Sequence, residues 1–302
     1  MIQLNFEDIR NMAGFYSVCS IVLYLITVLT NFLVITVVLV KKELHEPMYI
    51  FSTNLLFNGI IVSTAFLPKL TADILSESKT ISIFACYCQM YFMQVFILTE
   101  LALLTVMAYD RYVAICKPLR YSSIMTLKAV RGLSALPWLY SVSICNIGMI
   151  LCTRLQLCSF TLQKPYCDYY SILKLSCTDY FMHNVYGIAV AVVTAAVPLS
   201  VIIHSYSSIT HISLQLSKES RMKAFHTCLP HLLVLALYVI GVLFMAVQQR
   251  LSTSNVPSGA HTFLSLEFLI VPPLANPIIY GLRTKQIRSS LIQFCNRMKN
   301  KT

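Results

Sequence analysis

The chain has 302 residues, 57% of them hydrophobic and only 12% charged, with a net charge of +11. A soluble domain carries about 25% charged residues, so the composition argues for a membrane protein. No Lys/Arg-rich run is interleaved with aromatics, so the positive charge does not point to nucleic acid. The eleven cysteines are spread too widely for a disulfide-rich miniprotein.

The first twelve residues, MIQLNFEDIRNM, are polar and acidic. A cleavable signal peptide would place basic residues before a short apolar core. Here the apolar segment that follows is far too long for that, and it reads as a first membrane span with the amino terminus outside. A helix needs about 20 mostly apolar residues to cross the hydrocarbon core. Long runs with few charges fall at 13–40, 48–72, 87–109, 132–152, 184–212, 224–249 and 258–280. The sequence therefore predicts an all-α membrane protein, a seven-transmembrane helix bundle forming one domain over 1–302, with a tail at 281–302.

Basic residues give the orientation. Lys41 and Lys42 follow the first span; Lys117, Arg120, Lys128 and Arg131 follow the third. Lys218, Arg221 and Lys223 follow the fifth, and Arg283, Lys285, Arg288, Arg297, Lys299 and Lys301 follow the seventh. The alternate loops carry fewer, so the positive-inside rule puts the tail in the cytoplasm. The excess charge then faces membrane lipids and cytoplasmic partners. Only one connection is long, roughly 153–183, and it lies outside, leaving no room for a soluble catalytic domain.

Cys86 sits at the outer mouth of the third span, and Cys158, Cys167 and Cys177 lie in the long loop. On an oxidising face pairing is expected. One bond would pin the loop over the bundle, and the other two loop cysteines could close a smaller ring. Glu100 lies mid-span, where a carboxylate is costly. It has three candidate companions: a cation, a proton, or polar neighbours such as Asn31 and Asn58. Glu267 in the seventh span lies nearer the outer half. Prolines fall within spans at Pro68, Pro137, Pro198, Pro230, Pro272, Pro273 and Pro277, each removing a backbone donor and permitting a kink. Asp110 and Arg111 close the third span at its cytoplasmic end. There they read either as an interfacial anchor or as a latch that a partner breaks.

The whole set of motifs resembles the olfactory receptor family, a branch of the rhodopsin-like G-protein-coupled receptors. MAYDRYVAICKPLRY carries the family signature. LHEPMYIF (44–51), SYSSI (205–209), KAFHTCLPHL (223–232) and NPIIYGLRTKQIR (276–288) agree with further family motifs in the right order. The HEPMYIF and TCLPHL variants look more like fish receptors. The resemblance implies an odorant receptor coupled to a heterotrimeric G protein of the stimulatory olfactory type, raising cyclic AMP. It implies no cofactor, and a short amphipathic cytoplasmic helix after the seventh span. Asp110, Arg111 and Tyr112 would form the latch, with Tyr206 and Tyr280 swinging toward Arg111 and Asn276–Pro277 kinking the seventh span. Cys86 would pair with Cys167, and Cys158 with Cys177.

The sequence departs from the family in three places. The family's second-span aspartate is replaced by Gly59, beside Asn58, so a sodium site at Glu100 would lack one of its two acids. The amino-terminal glycosylation sequon is missing; the one N-x-S/T match is Asn300 with Thr302, on the cytoplasmic side. The serine before the sixth-span histidine is Pro230. Cys295 in the tail is either a palmitoylation site or a helix-face cysteine.

The small-molecule odorant is expected between the third, fifth, sixth and seventh spans. Candidate contacts are Met93, Gln94, Ile97 and Leu98, with Tyr238, Gly241 and Glu267, a mostly apolar set. Aminergic receptors keep an aspartate at the place of Met93, so an amine anchored there is not expected. Arg250 could hold a carboxylate or pair with Asp168 or Asp179. The rival class is a small-solute transporter, which would favour two related halves; no such symmetry is visible. An enzyme would need a nucleophile–base or metal cluster. The histidines His204, His211, His226 and His231 instead read as interface residues near the cytoplasmic ends of the fifth and sixth spans.

Overall fold

The computed structural model describes residues 1–4, 12–162, 164–178, 181–250, 258–283 and 285–299, without the side chains of 245–250, 258–265, 282–283, 285 and 294–299. Seven long helices form the bundle. They are α1 (Ala13–Val40), α2 (Pro47–Leu75), α3 (Ile83–Cys116), α5 (Leu127–Thr153), α7 (Phe181–Gln215), α8 (Lys218–Arg250) and α9 (Ser258–Arg283). Short helices α4 (Tyr121–Ile124) and α6 (Tyr169–Lys174) lie in connections, and α10 (Lys285–Lys299) follows the last long helix. Among the described residues six helices are long and apolar enough to cross a membrane, and α9 contributes a shorter apolar stretch, Leu266–Gly281. The protein is a multi-pass membrane protein.

Local chemistry sets several ends. Pro47 opens α2, where its missing N–H costs nothing. Ser82 caps α3 by accepting from the Ala85 N–H at 3.1 Å, and Thr126 caps α5 by accepting from Ala129 at 3.3 Å. The helices outrun the apolar segments of the sequence. The third runs from 83 to 116 rather than 87 to 109, and the sixth begins at Lys218 rather than 224. Charged residues mark where the hydrocarbon ends, whereas a helix ends where its caps are. Every proline expected inside a span does lie inside a helix.

α3 is the most buried of the spans, and α2, α5, α7 and α8 pack around it. α1 has the opposite character. Phe15, Leu29, Phe32 and Leu39 stand exposed along it, a face suited to lipid contact because the chain gains nothing by hiding apolar groups from hydrocarbon. α10 is amphipathic and returns to the bundle. Its Ile287 is buried in the cluster formed by Val34, Val37 and Leu56. The Tyr49 hydroxyl donates to Gln286, and Lys41 Nζ donates to Gln293 Oε1 at 3.3 Å.

One end of the bundle is closed by a small sheet and two disulfides. β1 (Ile2–Leu4) lies between β2 (Thr80–Ile81), antiparallel, and β3 (Thr161–Leu162), parallel. Ile2 and Leu4 point into a cluster with Ile81, Cys86, Cys167 and Ile172. Cys86 is bonded to Cys167 and Cys158 to Cys177. The first pins the α5–α7 connection onto α3, and the second closes a loop of 19 residues within it. Asp168 caps α6 by accepting from the Ser171 N–H at 2.6 Å and also pairs with Lys164. The Arg250 side chain and Asp179 lie outside the described residues. The same holds for Cys295 and for the Asn300–Thr302 sequon.

Leu4 is 2% exposed at the centre of this closure. Leu4→Ala is expected to cost about 2–4 kcal/mol, read as a lower thermal unfolding midpoint of detergent-solubilised protein. Met1→Ala, at an exposed position, should leave it unchanged.

Candidate functional site

The functional side chains are strung along α3, so the site is best followed down that helix from its disulfide end. Gln89, three residues past Cys86, is nearly buried. Its Oε1 accepts from the Cys167 N–H at 2.9 Å while its Nε2 donates to Ala65 O at 3.3 Å. One amide thus ties the disulfide-bonded loop, α3 and α2 together.

Below it a cavity of about 510 Å³ lies between α3, α5, α7 and α8, roofed by Tyr169 of α6. Its α3 wall is Met90, Tyr91, Gln94, Ile97, Leu98 and Leu101. These recur at three- and four-residue steps, so they share one helical face. Gln94, Ile97, Leu98 and Tyr238, singled out from the sequence, all line it. Three other candidates do not. Met93 sits about 100° round the helix from Gln94 and is buried in the core with Phe96. Gly241 faces α9: a Cβ there would come within 2.4 Å of the Phe268 ring, so glycine is what lets α8 and α9 pack closely. Glu267 is on α9, which gives no described residue to the cavity wall, and its Oε2 is buried without a partner. The fourth span replaces the seventh as a wall, through Ile144, Cys145, Gly148 and Met149.

Deeper in α3, Glu100 is fully buried. Its Oε2 accepts from Asn58 Nδ2 and its Oε1 from Asn276 Nδ2, each at 2.9 Å. The carboxyl group therefore joins α2, α3 and α9. Asn31 does not join this group; it donates to Thr27 O at 2.7 Å and to Pro273 O at 2.9 Å, which holds α9 against α1. Around Glu100 the Oδ1 atoms of Asn31, Asn58 and Asn276 are buried without a hydrogen-bond partner. Both carboxyl oxygens already face N–H donors, and the place of a second acid is Gly59, where a Cβ would stand 3.2 Å from Pro273 Cβ.

At the far end of α3, Arg111 donates to Asp110 Oδ2 through Nη2 at 2.5 Å and Nε at 3.0 Å. The other oxygen of Asp110 accepts from the Tyr121 hydroxyl at 2.8 Å. Burial, and then the adjacent Asp110 carboxylate, push the Tyr121 phenol well above its ordinary pKa, so it remains a donor. Asp110 is wholly buried and Arg111 nearly so. Tyr206 of α7 bonds His231 Nδ1, and His231 Nε2 meets Leu104 O at 2.9 Å, linking α7, α8 and α3. Tyr280 of α9 approaches Met107 Sδ at 3.9 Å. Neither tyrosine is bonded to Arg111. Tyr112 packs against His204 with ring centroids 5.5 Å apart and receives Lys117 over its ring. It also borders a cleft with Cys116, Ser207 and His211.

The family model described as Olfactory receptor matches residues 19–297. The chain belongs to the olfactory receptor family. It is 34% identical to human Olfactory receptor 52K1, over 91% of this chain and 88% of that one. It is 36% identical to mouse Olfactory receptor 1M1 over the same shares, and 35% identical to the dog Olfactory receptor-like protein OLF4 over 96% and 94%. The protein is thus a G-protein-coupled odorant receptor and not an enzyme.

Sequence reasoning about this receptor missed several residues. His231 is not an interface residue; it is buried at 0% exposure, because its two ring nitrogens each find a partner inside the bundle. Tyr121, the last residue of the quoted signature, reaches Asp110 because the chain turns at Pro118–Arg120 after α3 ends. Tyr169 and Tyr186 gave no signal, since the chain itself does not say which loop or helix face turns inward. Glu100→Leu removes the acceptor for two buried amides, and each unpaired group costs about 1–3 kcal/mol. It is expected to lower the unfolding midpoint sharply, whereas Glu100→Gln retains an acceptor and loses less.

Proposed function

We propose that the receptor binds its odorant in the cavity between α3, α5, α7 and α8. It then activates a heterotrimeric G protein, of the stimulatory type that raises cyclic AMP, at the Arg111 end. The amino terminus is extracellular and the tail cytoplasmic. The basic clusters after the first, third, fifth and seventh helices support that orientation, and so does the placing of both disulfides at the opposite end.

The observation that carries this reading is that the cavity and the latch share their helices. α7 and α8 wall the cavity through Tyr186, Val190, Leu235 and Tyr238, and farther along the same two helices hold each other and α3 through Tyr206 and His231. A ligand that shifts α8 relative to α3 disturbs the contact of His231 with Leu104 O. Freed from His231, Tyr206 turns toward Arg111. Arg111 in turn exchanges Asp110 for a group on the G protein, and the inward ends of Asn276–Pro277 and Tyr280 follow. Equilibria of this kind move only by the difference in ligand affinity for the two arrangements.

Transfected cells reporting cyclic AMP test both halves. Arg111→Ala should abolish odorant-evoked signal per receptor displayed at the surface, with display itself lowered because Asp110 loses its buried partner, and Tyr121→Phe, which frees one oxygen of Asp110, should raise the basal signal about twofold or more. Gly187 lines the cavity with open space around its Cβ position. Gly187→Phe should therefore fold, fill the cavity and eliminate the response to every agonist. A retained response would place the ligand elsewhere.

A further inference from the structure

A disulfide fixes where two segments meet, but not how one is tilted over the other. The side-chain bonds that join Cys86 to Cys167 can rotate, so by itself the bridge is a pivot. A second attachment stands one turn farther along α3. Gln89 follows Cys86 by three residues, so the two side chains leave α3 on the same face. Gln89 Oε1 accepts from the Cys167 backbone N–H at 2.9 Å, and Gln89 Nε2 donates to Ala65 O of α2 at 3.3 Å. One loop residue is thus held twice, once by its side chain and once by its backbone. Two attachments set the direction of the chain as well as its place.

That direction passes straight into the cavity roof. Asp168, next in the chain, caps α6 by accepting from the Ser171 N–H at 2.6 Å. Tyr169, one residue further, opens α6 and lines the cavity. On the other side of Cys167, Tyr166 is buried with its ring edge-on to Phe66 of α2, centroids 5.9 Å apart. Gln89 itself is buried and is not among the described residues that line the cavity, whereas Met90 beside it is. Any effect of Gln89 on a ligand therefore runs through the roof and not through contact.

We propose that Gln89 is a positioning residue for the odorant site: by holding the Cys167 backbone it sets the height of the Tyr169 roof, and with it the length of odorant that the cavity accepts. This rests on the cavity being the odorant site. Without Gln89 the buried Cys167 N–H loses its acceptor, which is costly, and the segment rocks about the disulfide. The helical walls keep their chemistry, so the class of odorant is unchanged and its preferred length shifts.

Two measurements on the full-length receptor test this. Hydrogen–deuterium exchange of detergent-solubilised protein, reduced after quenching, reads the roof. The segment Tyr166–Lys174 should exchange about five- to tenfold faster in Gln89→Met than in wild type, with the middle of α3 unchanged. Gln89→Glu keeps an acceptor for the Cys167 N–H and should restore slow exchange. The cyclic AMP assay, normalised to surface display, reads the ligand. Its probes are straight-chain aldehydes, alcohols, acids and amines of graded length. In Gln89→Met the best wild-type length should lose about five- to tenfold in potency, while longer members of the same class lose less or gain. Gln89→Glu should keep the wild-type order. A role in stability alone would lower display and leave the order of lengths intact, and that result overturns the proposal. So does wild-type exchange in Gln89→Met. Where no probe activates the wild type, the exchange result decides. If the order of lengths stays fixed while Gly187→Phe silences every agonist, the roof inference fails and the cavity assignment stands. If Gly187→Phe leaves responses intact, the cavity assignment falls and this inference with it.

Discussion

The Glu100 carboxyl group is where three helices are obliged to agree. It is fully buried, and its two oxygens accept from Asn58 of α2 and Asn276 of α9. In a hydrocarbon setting nothing else supplies those bonds. The arrangement therefore sets the separation of α2, α3 and α9, and the other polar links extend it. Asn31 brings α1 in through Pro273, and Gln89 carries α3 up to the disulfide-bonded loop. Below Glu100, His231 draws α8 in through Leu104. Each bond is modest by itself; together they fix a bundle whose lipid-facing surfaces contribute little preference of their own.

The buried polar bonds are concentrated on one side of the bundle. α1, α2, α3 and α9 are joined by buried side chain–side chain and side chain–backbone bonds. α7 and α8 border an open cavity against α3, crossed by the Tyr238 hydroxyl to Ile97 O, with the Tyr206–His231–Leu104 chain below it. A small molecule entering the cavity meets the less constrained helices, and the charged end of α3 lies beyond them. The closed end adds to the contrast. Two disulfides and a three-stranded sheet tie the loops at that end to one another and to α3.

Much of the fold was legible because the membrane imposes long apolar runs and asymmetrical charge. The family motifs named the cysteine pairs, the Asp110–Arg111 pair and the seventh-span asparagine. The reading was weaker where it depended on helix rotation. Met93 and Gln94 are neighbours in sequence, yet one faces the core and the other the cavity, and the sequence alone does not state the phase of α3. The depth of His231 was missed for a different reason. A histidine near a helix end reads as interfacial until the backbone carbonyl of Leu104 is known to wait opposite it.

Gly59 has a consequence for how this receptor can change over time. Restoring the aspartate that the family carries there requires a Cβ 3.2 Å from the Pro273 side chain and 3.3 Å from its backbone. Asn31 holds that same proline in place at 2.9 Å. The neighbour must therefore give way by a few tenths of an ångström, against a bond that resists it, before the acid gains any partner. Glycine, proline and asparagine at these three positions are thus coupled by packing, so the effect of Gly59→Asp depends on what stands at 31 and 273.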